Sequence, residues 1–228
     1  MQRINSMSRY HMILAGLATL AGFVSFVVVA SAQSEPTAPA DPAPVVETDR
    51  VLAEAIFAGG CFWCVESDFD KVEGVLETIS GYTGGALESP TYRQVAKENT
   101  GHYEAVKIVY DSEVVSYSEL VEYFWRHVDP TDAGGQFCDR GSSYRTAIFA
   151  ATPEEREIAE QSKLAIDESQ VLSTPIVTPV IDAATFWPAE DYHQDYYLKN
   201  PIRYELYRNG CRRDARIGQV WSRENADG

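Results

Sequence analysis

An α+β fold with a ferredoxin-like core is what the sequence predicts, and three observations predict it. Apolar runs switch between a period of two and a period of three to four in a strand-helix-strand-strand-helix-strand order, the order of a split βαβ unit. Thr152-Pro153-Glu154-Glu155 is a strong helix start, with an N-capping hydroxyl, proline in the first turn and glutamate three residues on. The 228 residues are 45% hydrophobic, 11% aromatic and 23% charged, fractions that suit a packed domain and exclude collagen-like, coiled-coil and wholly disordered chains.

Val51–Ala58 is a short apolar run stopped by Gly59-Gly60, as expected of a buried strand. Phe62, Val65, Phe69 and Val72 then recur at helical spacing. Leu76–Tyr82 and Tyr103–Tyr110 alternate as strands and are stopped by Thr83-Gly84-Gly85 and Asp111-Ser112. Tyr117–His127 returns to helical spacing through Leu120, Val121, Phe124 and Trp125. Arg145–Ala151 closes the strand series, and the helix opened by Thr152 is expected to reach about Ser169. Ile176–Ile181 is β-rich and Glu190–Leu198 reads as a short helix, so the core is a mixed sheet with flanking helices. An extra C-terminal helix and coil complete the domain.

The chain carries 19 Lys and Arg against 34 Asp and Glu, a net charge of −15. With no Lys/Arg-rich run, it is poorly suited to gripping phosphate backbones, so nucleic acid is not an expected partner, nor is an anionic membrane surface. Four cysteines are too few for a disulfide-built scaffold.

The first fifty residues read as address and tether. Arg3 and Arg9 precede an uncharged apolar stretch from about Ile13 to Ala30, and Ala30-Ser31-Ala32 is a small-x-small exit. That order describes a secretory signal peptide over residues 1–32. The alternative is an uncleaved anchor in the inner membrane, formed by residues 12–30, and only then would the membrane be a partner. Residues 33–49 are rich in Pro and Ala and read as an extended spacer. The folded domain is then 50–228, and the expected location is exported, either periplasmic or extracellular.

The chemistry concentrates at Gly59-Gly60-Cys61-Phe62-Trp63-Cys64. A glycine pair leaving a strand permits a tight turn into a helix. Cys61 would stand at the helix N-terminus, where free N–H groups and the dipole favour a thiolate. Cys61 and Cys64 also have Cys-x-x-Cys spacing, one helical turn apart, so a disulfide between them is open geometrically, as is a general dithiol-disulfide oxidoreductase. A zinc site is disfavoured because Cys138 and Cys211 stand singly, and no metal is expected.

Around that motif the sequence resembles the A-type peptide methionine sulfoxide reductases. Gly60-Cys61-Phe62-Trp63 is similar to their signature. Ser80–Gly85, Pro90-Thr91-Tyr92, Thr100–Val106, Asp139–Arg145 and Ala189–Gln194 are similar to that family's further blocks, in its order. The resemblance implies thiol-dependent reduction of the S epimer of methionine sulfoxide, free or in proteins, and so repair of oxidised exported proteins. It implies Cys61 as nucleophile, Glu104 as general acid, and Tyr92 and Tyr144 as hydrogen-bond donors to the sulfoxide oxygen. Phe62 and Trp63 become the aromatic wall for the substrate methyl, and Asp139 a substrate-pocket residue. It further implies a sulfenic acid on Cys61 resolved by a second thiol as an intramolecular disulfide. No bound cofactor is implied, but an external thioredoxin-like dithiol is. Many members have Gly in place of Cys64 and recycling cysteines near the C-terminus. Cys211, in a polar and Pro-free tail that suits a mobile segment, is the favoured second thiol, with Cys64 and Cys138 as alternatives.

Overall fold

Alternation with period two is what pins the central strands. In β1 (Leu52–Gly59) Ala55 and Phe57 point to one side, Ile56 and Ala58 to the other. The computed structural model describes residues 50–97 and 99–222, all on the C-terminal side of a division of the chain near residue 46. The expected leader and spacer fall outside the described residues.

After β1 come α1 (Phe62–Phe69), β2 (Val75–Thr83), the single-turn α2 (Tyr92–Val95), β3 (Tyr103–Asp111) and α3 (Tyr117–Arg126). A small hairpin, β4 (Gly135–Gln136) and β5 (Asp139–Arg140), precedes β6 (Thr146–Ala150) and α4 (Pro153–Ser169). Then follow β7 (Val180–Asp182), β8 (Trp187–Pro188), α5 (Tyr196–Lys199), α6 (Pro201–Gly210) and α7 (Arg213–Val220). The main sheet runs β7-β6-β1-β3-β2-β8. Its four central strands are antiparallel throughout in the order of the split βαβ unit, and β7 joins β6 in parallel. The expected α+β class and its leading element order hold.

The helix starts are chemically explicit. Ser116 and Glu119 form a reciprocal capping box on α3, and the Thr152 hydroxyl accepts the Glu155 amide at 3.1 Å to open α4. The apolar stripe of α3, with Leu120, Val121, Phe124 and Trp125 buried, covers the same sheet face as α1, against Phe57, Val106 and Ile108. Phe57 is central to this layer, its ring stacked on Phe69 at 5.3 Å and Phe124 at 5.1 Å.

Three segments differ from expectation. The run at Ile176–Ile181 enters the sheet only at Val180, because Pro179 has no N–H to give a ladder. The helix expected over Glu190–Leu198 shrinks to α5. Asp195 has φ 51°, and the Gln194 side chain bonds both the N–H and the C=O of Ser80, at 2.9 Å each, so the chain turns at the sheet edge instead. The expected C-terminal coil is two helices, α6 and α7, joined through Arg212 at φ 53°.

Phe57 is wholly buried, so Phe57→Ala is expected to cost about 3–5 kcal/mol of folding stability. Urea unfolding checks this, and a loss below about 1 kcal/mol would show that the layer can collapse around the gap.

Candidate active site

The turn from β1 into α1 is sterically obligatory. Gly60 has φ +84°, and a Cβ there would lie 2.5 Å from that of Gln136. Cys61 follows as the N-cap of α1. Cys61 and Cys64 are both free thiols, 6% and 2% exposed, and their side chains are hydrogen-bonded to each other. The helix start does not serve the Cys61 sulfur as the sequence suggested. The Phe62 amide is directed to Glu104 Oε2 at 3.1 Å, and the amides of Cys64 and Val65 return to the Cys61 carbonyl. Burial, the Cys64 sulfur and Glu104 together push the Cys61 thiol well up, against a lowering contact from the Tyr207 hydroxyl. Cys64 goes the other way, lowered by its hydrogen bond with Cys61 and by the guanidiniums of Arg213 and Arg208. Of the two thiols, Cys64 is therefore the readier to ionise.

Glu104 reaches this place through strand geometry. On β3 it shares the helix-covered face with Val106, Ile108 and Tyr110, and it pairs across to Tyr82 on β2. It is 2% exposed, and burial raises its carboxyl to about 8, opposed mainly by the Phe62 amide. At neutral pH it is a proton donor. The hydroxyl of Tyr144 is hydrogen-bonded to it and also to that of Tyr92, so the two expected donors stand together with the acid. Burial holds both phenols neutral, raising them above the ordinary tyrosine range.

Phe62 and Trp63 stand side by side with ring centroids 6.4 Å apart, and other residues fix them. The Trp63 ring stacks on Tyr196 at 3.7 Å, and its Nε1 donates to His193 Nδ1 at 3.0 Å. His193 is buried and lowered by that burial, which suits a neutral imidazole accepting at Nδ1. Glu190 joins the two sides, accepting the Tyr82 hydroxyl and the Tyr92 amide at 3.0 Å each.

Asp139 also lies in the site. Its carboxylate accepts a short hydrogen bond from the Tyr207 hydroxyl, and burial raises it. Cys211, the favoured second thiol, is bonded through its sulfur to Cys138 instead of standing free beside Cys61. The segment that carries it is helical and anchored. Arg208 pairs with Asp68 at 2.8 Å, Arg216 with Asp129 at 2.8 Å, and the buried Arg213 donates to the carbonyls of Gly59 and His127. The second free thiol, Cys64, is the one within reach of Cys61. Cys138, Asp139 and Cys211 present ligand atoms within 4.8 Å of one another, a closeness that the disulfide and the chain neighbourhood of Cys138 and Asp139 account for.

Sequence reasoning missed Tyr204, Tyr207, Arg208 and Arg213. Their signal was present, since Tyr204, Tyr207, Arg208 and Cys211 recur at i, i+3, i+4 and i+7, one face of a helix. Glu190, His193 and Tyr196 were missed as site residues for want of any metal-ligand or catalytic spacing.

The chain resembles known proteins along this whole domain. Residues 53–225 match the family described as Peptide methionine sulfoxide reductase. A "Peptide methionine sulfoxide reductase MsrA" of Ligilactobacillus salivarius is 56% identical over 168 residues, covering 74% of this chain and 97% of its own. "Peptide methionine sulfoxide reductase MsrA 2" of Caulobacter vibrioides is 53% identical over 186 residues, 81% of this chain and 90% of its own. Among solved structures, methionine sulfoxide reductase A of Corynebacterium diphtheriae is 33% identical at a TM-score of 0.60, covering 66% of this chain and 76% of that one. The reduced form of Mxr1 from Saccharomyces cerevisiae superposes at 0.62 with 27% identity, covering 66% and 86%.

The buried acid makes a signed prediction. Because folding raises the Glu104 carboxyl to about 8, its contribution favours folding at acid pH and is lost as pH rises from its unfolded value through 8. Glu104→Gln should therefore be more stable than the parent at pH 9, by on the order of a few kcal/mol, and closer to it at pH 5. Denaturant titrations at the two pH values decide it; an unchanged difference would place the proton elsewhere.

Proposed function

The chain belongs to the peptide methionine sulfoxide reductase family, and from that premise we propose how its own residues carry out thiol-dependent reduction of methionine (S)-sulfoxide to methionine. The observation that carries the assignment is the pairing of a neutral carboxyl with a nucleophilic sulfur across the first peptide of α1, Glu104 on the Phe62 amide and Cys61 beside it.

The substrate methyl packs on Phe62 and Trp63, where sulfur-bound methyl groups sit well on aromatic faces. Tyr92 and Tyr144 hydrogen-bond the sulfoxide oxygen while Glu104 gives it a proton. Cys61 sulfur attacks the sulfoxide sulfur, and its own proton goes to the Glu104 carboxylate that has just given one up. The S–O bond of the substrate breaks as oxygen moves to Cys61, so methionine leaves reduced by two electrons and Cys61 is left as sulfenic acid. Cys64 then attacks the Cys61 sulfur, water departs with the oxygen, and a Cys61–Cys64 disulfide remains. An external dithiol reduces that disulfide by exchange. Cys64 takes the resolving role because it is in hydrogen-bonding contact with Cys61 and is the readier of the two to ionise, whereas Cys211 is held by Cys138.

Cys61→Ser should abolish loss of the S epimer from racemic peptidyl methionine sulfoxide with dithiothreitol. Cys64→Ser without thiol should release one methionine per enzyme and leave a dimedone-reactive Cys61. Undiminished multiple turnover by Cys64→Ser under a protein dithiol would overturn the resolving role, and consumption of the R epimer instead would overturn the assignment.

We further propose that residues 1–32 export the enzyme, that it repairs oxidised exported proteins, and that a thioredoxin-like protein of that compartment is its reductant. Arg3 and Arg9, the apolar run and Ala30-Ser31-Ala32 support this reading, and so does the Cys138–Cys211 disulfide, a bond that persists in oxidising compartments. N-terminal sequencing of the mature protein should begin at Gln33. A chain beginning at Met1 in the membrane fraction would make the segment an anchor.

A further inference from the structure

The Cys138–Cys211 disulfide brackets a single hydrogen bond. Asp139 follows Cys138 directly, and Tyr207 lies one helical turn before Cys211, whose amide bonds the Tyr207 carbonyl at 2.9 Å. Between them the Tyr207 hydroxyl donates to Asp139 and faces the Cys61 thiol. One covalent bond thus fixes, from both sides, the backbone of the two residues that close the site over the nucleophile.

The helix carrying Tyr207 is held along one narrow face. Of the ten residues of α6 only Tyr204 is buried, while Ile202 and Leu206 are 76% and 71% exposed. That face rests on Trp63, whose ring meets Tyr207 at 5.8 Å, and on Tyr197, which meets Tyr204 at 5.9 Å, with the Arg208–Asp68 pair and the junction to α7, where Arg213 is buried, beside them. Cys211 stands at that junction. The groups facing Cys61 are Cys64 from α1, Tyr92 from α2, Glu104 from β3 and Tyr207 from α6, with Asp139 from β5 behind Tyr207. Tyr207 and Asp139 are the two whose chain neighbours the disulfide ties together.

Resting on the reading of Cys61 as nucleophile, we infer that the Cys138–Cys211 disulfide is a positioning bond for the reaction at Cys61, holding the Tyr207–Asp139 pair against the thiol. Cys138 is exposed, so the bond is open to the same class of dithiol that completes turnover. Two external thiols become a disulfide as Cys138 and Cys211 each gain an electron and a proton, and Tyr207 is released from its station. The oxidised bond is the competent state.

The test compares the full-length protein with Cys138→Ser/Cys211→Ser and with Tyr207→Phe, which keeps the disulfide. Methionine formed in a single turnover without added thiol should slow about tenfold in both variants, within the range that a small misplacement of a reacting group produces. The pH midpoint for iodoacetamide labelling of Cys61, read by peptide mass spectrometry, should move upward in both. A double variant that melts earlier yet keeps the parent rate and labelling midpoint would make the bond a staple only, and would overturn the inference. So would an intact single turnover with lost turnover on a protein dithiol, which would make the pair an electron relay. Absence of methionine from the parent itself would sink the proposed function instead.

Discussion

A carboxyl kept dry beneath a helix start is the constraint on which the site depends. The alternation of β3 puts Glu104 on the covered face of the sheet, and the tight exit of β1 through Gly60 brings the first amide of α1 down onto it. That amide stabilises the charged form, by about 1.5–3 kcal/mol for a hydrogen bond to a charged group. Burial of the charge costs more, and the balance leaves the acid at about 8. Roughly ten carboxyls are neutral for each one ionised at pH 7. One amide is enough to orient the acid and too little to ionise it.

The same competition explains why the two sulfurs differ. A helix end contributes about 0.3–1 kcal/mol to a nearby anion, and here its first amide is directed to Glu104. Loss of hydration in a site this closed outweighs what remains, so Cys61 holds its proton. Cys64, one turn deeper, has what Cys61 lacks, the guanidiniums of Arg208 and Arg213. The more buried sulfur is thus the readier to ionise, because fixed cations replace water there. Cys61 becomes nucleophilic only as its proton leaves, while Glu104 gives its own to the substrate oxygen.

What was legible in the sequence was whatever a local period or a local stop dictates. The capped start of α4, the alternation of β3 and the glycine exit from β1 each placed an element, and alternation alone put Glu104 on a face that could be covered. The disulfide was not legible, since Cys138 and Cys211 stand 73 residues apart and nothing local to either names the other. The tail was misread for a physical reason. Its polarity resembles a solvated coil, yet Arg213 is among the most buried residues of the domain, its two Nη atoms held by backbone carbonyls and its guanidinium packed over the Phe137 ring at 4.6 Å. Long cationic side chains bury their stems and carry polar partners inward with them, so composition understates how much of such a segment is core.

Charge around the tail has a consequence for recycling. Asp68 is the buried acid shared by Arg208 and Arg213, at 2.8 and 3.7 Å, while Asp214 pairs with Arg208 from the exposed side. Two guanidiniums thus meet two carboxylates, and the cluster is neutral before Cys64 is counted. What reaches Cys64 is the field of the two cations, which favours its ionised form over the thiol. In a Cys61–Cys64 disulfide neither sulfur ionises, so that preference acts on the dithiol alone. It therefore leans toward the reduced pair, the same principle by which a stabilised reduced form makes a disulfide a stronger oxidant.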